Sequence, residues 1–400
     1  MSNVNLPNLF LEISSSSLKF LIGKYDDNSN FEKIKNFEIP TPYIKDGKIE
    51  DLINIQKLIE KSLVELEDEL NFNFKNINLV LENSDFECIN LSGFKKLSGS
   101  QFSKQDTNYV INILKGLISE NSENSIIHIF NSEYKIDNKI LNSLPLNLNG
   151  QFYTHELTFF LLKNTELQKI KLLFNNCNLK ISRIMFKSFL KGVNILEDNK
   201  KETFISISMN KNNIKLVLFK KSSCVFFQSF NFGSEIIIND IAKVCSLKKD
   251  NIFNILSDIS FNNFQDGENK QDYLDIKYFK DESFRKISKS LLHNVIISRI
   301  TEIVNVIFNK NVNLEYYKIF SKQIFLSIEE ECIYKSFTKL FEKSFDSNFE
   351  IYSKLENAND LYLPCIDAAN IAVNGWKKEV LPMVEIKKSL ISRIFGLIFN

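Results

Sequence analysis

The sequence predicts a two-lobed mixed α/β protein, and three observations predict it. A strand, polar turn, strand pattern occurs twice, at residues 9–22 and again at 204–219. The apolar runs flanking each turn are β-branched or aromatic and too short for ordinary helices. Each copy leads into alternating strand-period and helix-period segments, the mark of a mixed α/β lobe. Four hundred residues also exceed one ordinary hydrophobic core.

After the first hairpin, residues 31–39 read as a further strand. Residues 40–51 are a loop with Asp-Gly turn chemistry at Asp46-Gly47. Residues 52–70 carry Leu52, Ile55, Leu58, Ile59, Leu63, Leu66 and Leu70 on one helical stripe, and 77–81 is a short strand. Helices are expected over 105–118 and 165–177, and strands over 126–137, 155–162 and 179–184. A crossing segment at 187–196 is followed by a charged linker at 197–202. Beyond the second hairpin, 225–230 is a strand, and 262–273 is a polar loop. A long apolar-faced helix spans 287–308, then come a strand at 324–328, a helix at 332–345, a strand at 350–352 and a small-residue helix at 365–376.

Bulk properties exclude several classes. Apolar content of 44% and charged content of 25% are those of a folded chain. A net charge of +1 argues against a nucleic-acid partner recruited by bulk electrostatics. The six cysteines form no C-x-x-C pair and have no histidine at zinc spacing, so no metal site is expected and a reducing compartment suits them. No basic start precedes an apolar core at the N-terminus, and no apolar run approaches the roughly 20 residues of a transmembrane helix. Glycine is scarce, 11 in 400, where average usage of about 7% gives about 28. That composition suits a glycine-lined phosphate cleft poorly. His128, His155 and His293 stand apart from any nucleophile or carboxylate pattern and read as structural.

Several segments resemble one family. Lys45-Asp-Gly-Lys-Ile-Glu-Asp-Leu52 precedes the first long helix, the strand ending Glu133-Tyr-Lys-Ile-Asp137 is followed by a Pro145-to-Gly150 loop, and Gly233-Ser-Glu-Ile-Ile-Ile-Asn-Asp-Ile-Ala242 opens a helix after the second hairpin. In this order they are similar to the FtsA family of bacterial cell division proteins, within the actin-like superfamily. The resemblance implies a two-lobed actin-like (ribonuclease H-like) fold. It divides the chain into a first lobe at 1–84 and 163–200, an inserted subdomain at 85–162, a second lobe at 201–380, and a linker with a membrane-targeting amphipathic helix at 381–400.

The tail has its own physical signature. Ile386, Leu390, Ile391, Ile394, Phe395 and Ile398 fall at helical spacing, with Lys387, Lys388 and Arg393 on the other side. Such a helix is roughly 20 Å long, short of a bilayer core of about 30 Å, and suits the interface plane. Three cations near an anionic surface contribute roughly 3 kcal/mol.

In actin-like ATPases the two hairpin turns grip the nucleotide phosphates, so the resemblance directs attention to both. The first turn offers Glu12, Ser14 and Ser15 where the family has Asp and Gly. The second offers Ser206, Ser208 and Lys211 where it has a carboxylate and glycines, and Ile328-Glu329 stands at its adenosine-side Gly-Gly. These are the candidate positions for ATP and Mg²⁺, in degenerate form, and no catalytic residue is assigned. The resemblance implies a non-catalytic adaptor that tethers FtsZ filaments to anionic lipids on the cytoplasmic face of the inner membrane, helps assemble the division (Z) ring, and self-associates into filaments. The alternatives are a PilM-like scaffold of a pilus or secretion apparatus, and an actin-fold small-molecule kinase.

Overall fold

The computed structural model describes residues 6–82, 86–264, 272–280, 282–356 and 361–380. The tail positions Ile386 to Ile398 singled out above therefore lie outside the described residues, as does 265–271 of the polar loop.

The first hairpin is β1 (Asn8–Ile13) and β2 (Ser17–Tyr25), joined to β3 (Phe31–Pro40). A small ribbon, β4 (Ile44–Lys45) and β5 (Lys48–Ile49), turns at Asp46 and Gly47, both at positive φ, as the Asp-Gly pair requires. Helix α1 (Leu52–Leu70) starts on Asp51, whose side chain accepts the Asn54 amide at 3.0 Å, and buries Ile55, Ile59, Leu63 and Leu66. Strand β6 (Asn76–Leu81) then pairs parallel to β1.

The inserted unit follows: β7 (Glu87–Lys96), α2 (Lys104–Asn121), β8 (Asn124–Ile136), β9 (Lys139–Leu141) and β10 (Phe152–Lys163). Its sheet runs β7-β10-β8-β9. The chain returns to the first lobe through α3 (Asn164–Asn176) and β11 (Lys180–Phe186) and crosses on α4 (Lys187–Asn199).

The second lobe contains β12 (Phe204–Met209), β13 (Ile214–Lys220), β14 (Ser223–Phe230), α5 (Glu235–Cys245) and α6 (Lys249–Asp258). It continues with α7 (Lys289–Val304), β15 (Gln323–Ile328), α8 (Glu331–Ser344), β16 (Glu350–Leu355) and α9 (Leu363–Asn374). The two large sheets have orders β11-β6-β1-β2-β3 and β14-β13-β12-β15-β16. Each is an antiparallel three-strand meander continued by two parallel strands on the side of its first strand, so the lobes repeat one topology.

The apolar cores are not separated at the lobe boundary. Phe204, Val217, Phe219, Cys224 and Phe227 of the second lobe belong to the first-lobe cluster. Phe186 lies against Phe160, Phe86, Phe189 and Phe227, with ring centroids 4.6 to 5.9 Å apart, so an aromatic seam joins the insert and both lobes. Freely moving domains meet over more polar surfaces than this.

Three elements differ from expectation. Strand β7 was hidden because its alternation is weak and Gly93 interrupts it. A Cβ there would lie 2.6 Å from Val110, so the glycine lets α2 lie close on the sheet. Helix α6 has only ten residues and begins with three polar ones, which leaves little periodicity to read. Helix α4 runs to Asn199 and absorbs the first half of the expected linker. Residues Lys289–Asn309 form a helix long and apolar enough to cross a membrane. Yet Leu292, Ile296, Ile300, Ile303, Val304, Ile307 and Phe308 are buried in the second-lobe core, and Arg299 pairs with Asp240, so it is a core helix.

Candidate functional site

The two hairpin turns face each other across the lobe boundary, with the start of α4 beneath. Each turn reads differently once its hydrogen bonds are traced. In the first, the Ser14 amide donates to the Ser17 carbonyl at 3.0 Å, and the Ser14 and Ser17 hydroxyls share a bond of 2.8 Å. The Ser15 amide, the kind of donor that receives a phosphate oxygen, donates to Glu82 Oε2 at 3.0 Å. In the second turn, Asn210 Oδ1 accepts the Asn212 and Asn213 amides at 2.9 and 2.7 Å. Its carbonyl accepts the Ser234 amide at 3.0 Å, and a Cβ on Gly233 would lie 2.0 Å from that oxygen. Gly233 is thus needed for the turn to meet the start of α5.

Between the turns lies a buried charge network. Glu12 on β1 is fully buried, and its Oε1 has Lys187 Nζ at 2.8 Å and Lys19 Nζ at 4.0 Å. Lys187, the first residue of α4, also reaches Glu82 Oε2 at 3.1 Å. Lys215 on β13 donates to the Glu82 carbonyl at 2.6 Å and lies 3.5 Å from its carboxylate, a bond from the second lobe to the first. Lys191 on α4 pairs with Glu356, at the end of β16, at 2.6 Å. Asn212 of the second turn adds a bond of 2.8 Å to Asp46 of the first lobe.

Burial alone would raise the Glu82 carboxyl, but Lys187 and Lys215 hold it well below its ordinary value. Burial would likewise lower the Lys187 ammonium, but Glu12 and Glu82 raise it well above its ordinary value. Lys215 is lowered, because its burial outweighs Glu82. The pH dependence follows from the signs. The Glu82 contribution is fully present above the unfolded carboxylate value of about 4.3 and is lost as pH falls through the lower folded value. The Lys187 contribution is present below about 10.4 and is lost only as pH rises through its higher folded value; Lys215 acts in the opposite sense on that alkaline side. Acid therefore breaks the network first. Glu82→Gln is expected to be less stable than wild type in urea at pH 7, with the gap shrinking below pH 4. A gap that stays constant from pH 7 to 3 contradicts the pairing.

The space left between the turns is about 10 Å³, lined by Glu82, Lys187, Lys191, Asn210, Lys215 and Glu356 among others. That volume admits about one water molecule. A nucleotide triphosphate with Mg²⁺ does not fit these residues. The amide and ammonium donors are already spent on Glu82 and Glu12, and carboxylates line the gap. Glu82 holds the place of an anion between the Ser15 amide and two lysines, and the Lys187 ammonium is the cation facing Glu12.

Of the six candidate positions, the fold brings Glu12, Ser14 and Ser15 together beside this network. Ser208 lines the small gap, and its hydroxyl accepts from Ser327 at 3.1 Å. Ser206 lines only a larger neighbouring cavity. Lys211 points to Glu235, 3.6 Å away, with its side chain 60% exposed. Sequence reasoning missed Glu82, Lys187 and Lys215. The available signal was a charged residue directly ending or interrupting an apolar strand: Glu82 after β6 and Lys215 inside β13.

The histidines are structural. His155 bonds Asn131 at 2.8 Å, and burial pushes its imidazole down to about 3. His128 bonds Glu379 at 2.8 Å, and His293 stacks near Phe264. Among the described residues no group of three metal-ligating side chains occurs.

No family model matches the chain. It is 25% identical over 313 residues to "Cell division protein FtsA" of Buchnera aphidicola subsp. Acyrthosiphon pisum (strain APS), an alignment spanning 76% of this chain and 73% of that protein. It is also 25% identical over 236 residues to the protein of the same name from Buchnera aphidicola subsp. Schizaphis graminum (strain Sg), spanning 58% of this chain and 56% of the relative. A solved PilM–PilN type IV pilus biogenesis complex contains a chain with the same fold, at a TM-score of 0.54 and 11% identity, over 92% of this chain and 98% of the other. The repeated sheet topology and the insert between β6 and α3 give the chain an actin-like fold, and in sequence it is similar to proteins named cell division protein FtsA.

Proposed function

We propose that the protein is a non-catalytic cell division adaptor that holds FtsZ filaments against the cytoplasmic face of the inner membrane and helps assemble the division ring. The observation that carries the non-catalytic part is the internal ion network, Glu12 with Lys187 and Glu82 with Lys187 and Lys215, which joins the lobes with the protein's own charges. A body held closed in this way suits a scaffold that assembles without a turnover cycle. The division role rests on the relatives named cell division protein FtsA. The membrane role rests on the amphipathic pattern of 386–398, with Lys387, Lys388 and Arg393 supplying charge and Ile386, Leu390, Ile391, Ile394, Phe395 and Ile398 the apolar face. One such helix binds reversibly; several on a self-associated filament bind tightly through effective concentration.

The test is co-sedimentation with anionic liposomes, with and without FtsZ filaments, comparing the full chain with one ending at Val384. The full chain is expected to pellet with the liposomes and carry FtsZ down, and salt or Ile394→Glu is expected to release it. Equal behaviour of the two chains removes the membrane role. Pelleting of the full chain without FtsZ removes the tether and favours a scaffold of another machine.

A further inference from the structure

A second cavity, of about 470 Å³, adjoins the small gap and shares Lys187, Lys191, Ser208, Glu329 and Glu356 with it. Its volume is that of a small-molecule site. It extends under α4 and is walled by residues of α4, β12, β15, β16 and the first turns of α9. One side is apolar, built from Ile195, Phe325, Leu326, Leu363 and Pro364.

The unusual group in its wall is Asp367 on α9. The residue is only 5% exposed, it lines the cavity, and among the described residues no hydrogen bond or ion pair satisfies its carboxyl. Burial pushes that carboxyl up to about 8, and the charges of Glu197 and Asp198 on α4 add to the effect. A buried acid without a partner is costly, and such groups gather where a ligand completes them. The cations in the wall do not complete it. Of the four lysines in the wall, Lys187 pairs with Glu12 and Glu82, Lys191 pairs with Glu356, Lys19 lies nearest Glu12, and Lys354 has an interaction of its own. Asp198 and Asp367 therefore form an acidic patch on α4 and α9 beside the apolar residues of α4, α9 and β15.

We propose that this cavity is a binding site for a primary amine carried on an apolar body, with Asp367 as the counter-ion of the ammonium group and Phe325, Leu326 and Leu363 covering the body. The site adjoins the cleft between the hairpin turns and shares part of its wall, and it stands independently of the cell division reading. Its walls come from both lobes and from the helix that crosses between them, so an occupant bears on the same ion pairs that hold the lobes together. The amine can be a free small molecule or the lysine side chain of a protein.

The experiment titrates the full chain with n-hexylamine by calorimetry and saturation-transfer NMR, with 1-hexanol and hexanoate as neutral and anionic controls. Hexylamine is expected to bind saturably and at least tenfold more tightly than either control. Asp367→Asn is expected to weaken hexylamine at least tenfold while melting no lower than wild type, because the amide is as neutral as the protonated acid it replaces. Asn194→Trp, which puts an indole into the cavity from α4, is expected to abolish binding. Nα-acetyl-lysine methylamide distinguishes the sources: binding as tight as hexylamine indicates a protein lysine, and binding of the free amine alone indicates a small molecule. Non-saturable hexylamine binding, or equal affinity in wild type and Asp367→Asn, overturns the proposal.

Discussion

Lys187→Met is expected to lower the unfolding free energy by about 3–5 kcal/mol, the usual result of stranding a buried charge. Glu12 is fully buried, Lys187 is the cation nearest it, and Lys19 at 4.0 Å is too distant to replace a contact of 2.8 Å. Glu82 keeps Lys215, so the loss falls mainly on Glu12. The double variant Glu12→Leu/Lys187→Met is expected to recover most of the loss, since a well-packed apolar pair of similar volume often equals a buried ion pair. Urea denaturation of the two single variants and the double variant closes the cycle. Additive effects would mean that Glu12 and Lys187 do not depend on each other, and the picture of an internal cation facing Glu12 would fail.

Glu379→Ala is expected to be as damaging, about 3–5 kcal/mol, for the same reason at another place. The Glu379 side chain is 2% exposed and lies between two partners: its Oε1 bonds His128 Nδ1 at 2.8 Å, and its Oε2 pairs with Arg183. Burial would raise the carboxyl, but His128 and Arg183 hold it below its ordinary value. Arg183 would keep one bond, to the Ile371 carbonyl at 2.9 Å, and lose its counter-charge. The consequence is more than stability. Around Glu379 the chain joins the insert's sheet edge: Lys378 accepts the Asn131 amide at 2.7 Å, and the Val380 amide donates to Ile129 at 2.8 Å. Glu379→Ala should therefore speed amide exchange at Asn131 and Val380 ahead of the rest of the chain. Exchange that rises uniformly would show that the clasp is not a local device. The double variant Arg183→Met/Glu379→Leu, which removes both charges, is expected to restore stability but not the anchoring to His128.

Most of the fold was legible because local pattern and burial agree in it. The stripe from Leu52 to Leu70 needed only a 3.6-residue period, and its helix has the expected ends. The two hairpins showed in short β-branched and aromatic runs on either side of a polar turn, and their repetition foretold two similar sheets. Where the pattern was short or broken, at α6 and at β7 with Gly93, the reading failed, since close packing by α2 leaves no periodic trace.

The candidate site was legible in half. Loss of glycine from both turns, and of the carboxylate from the second, is a property of composition at known positions, and it warned against a phosphate site before any coordinates. What fills the cleft was not. Glu12, Glu82, Lys187 and Lys215 are separated by long stretches of chain, and a lone Glu or Lys at a strand end usually faces solvent.

The sequence by itself determined the lobes, their element order and the absence of glycine from both turns, because periodicity and backbone freedom are local properties. Only the tertiary structure decided which charges meet, that the cleft is closed by them, and that Asp367 is left facing a cavity. Those outcomes depend on contacts between residues far apart in sequence and on the low dielectric around them, and neither is encoded in any single window of the chain.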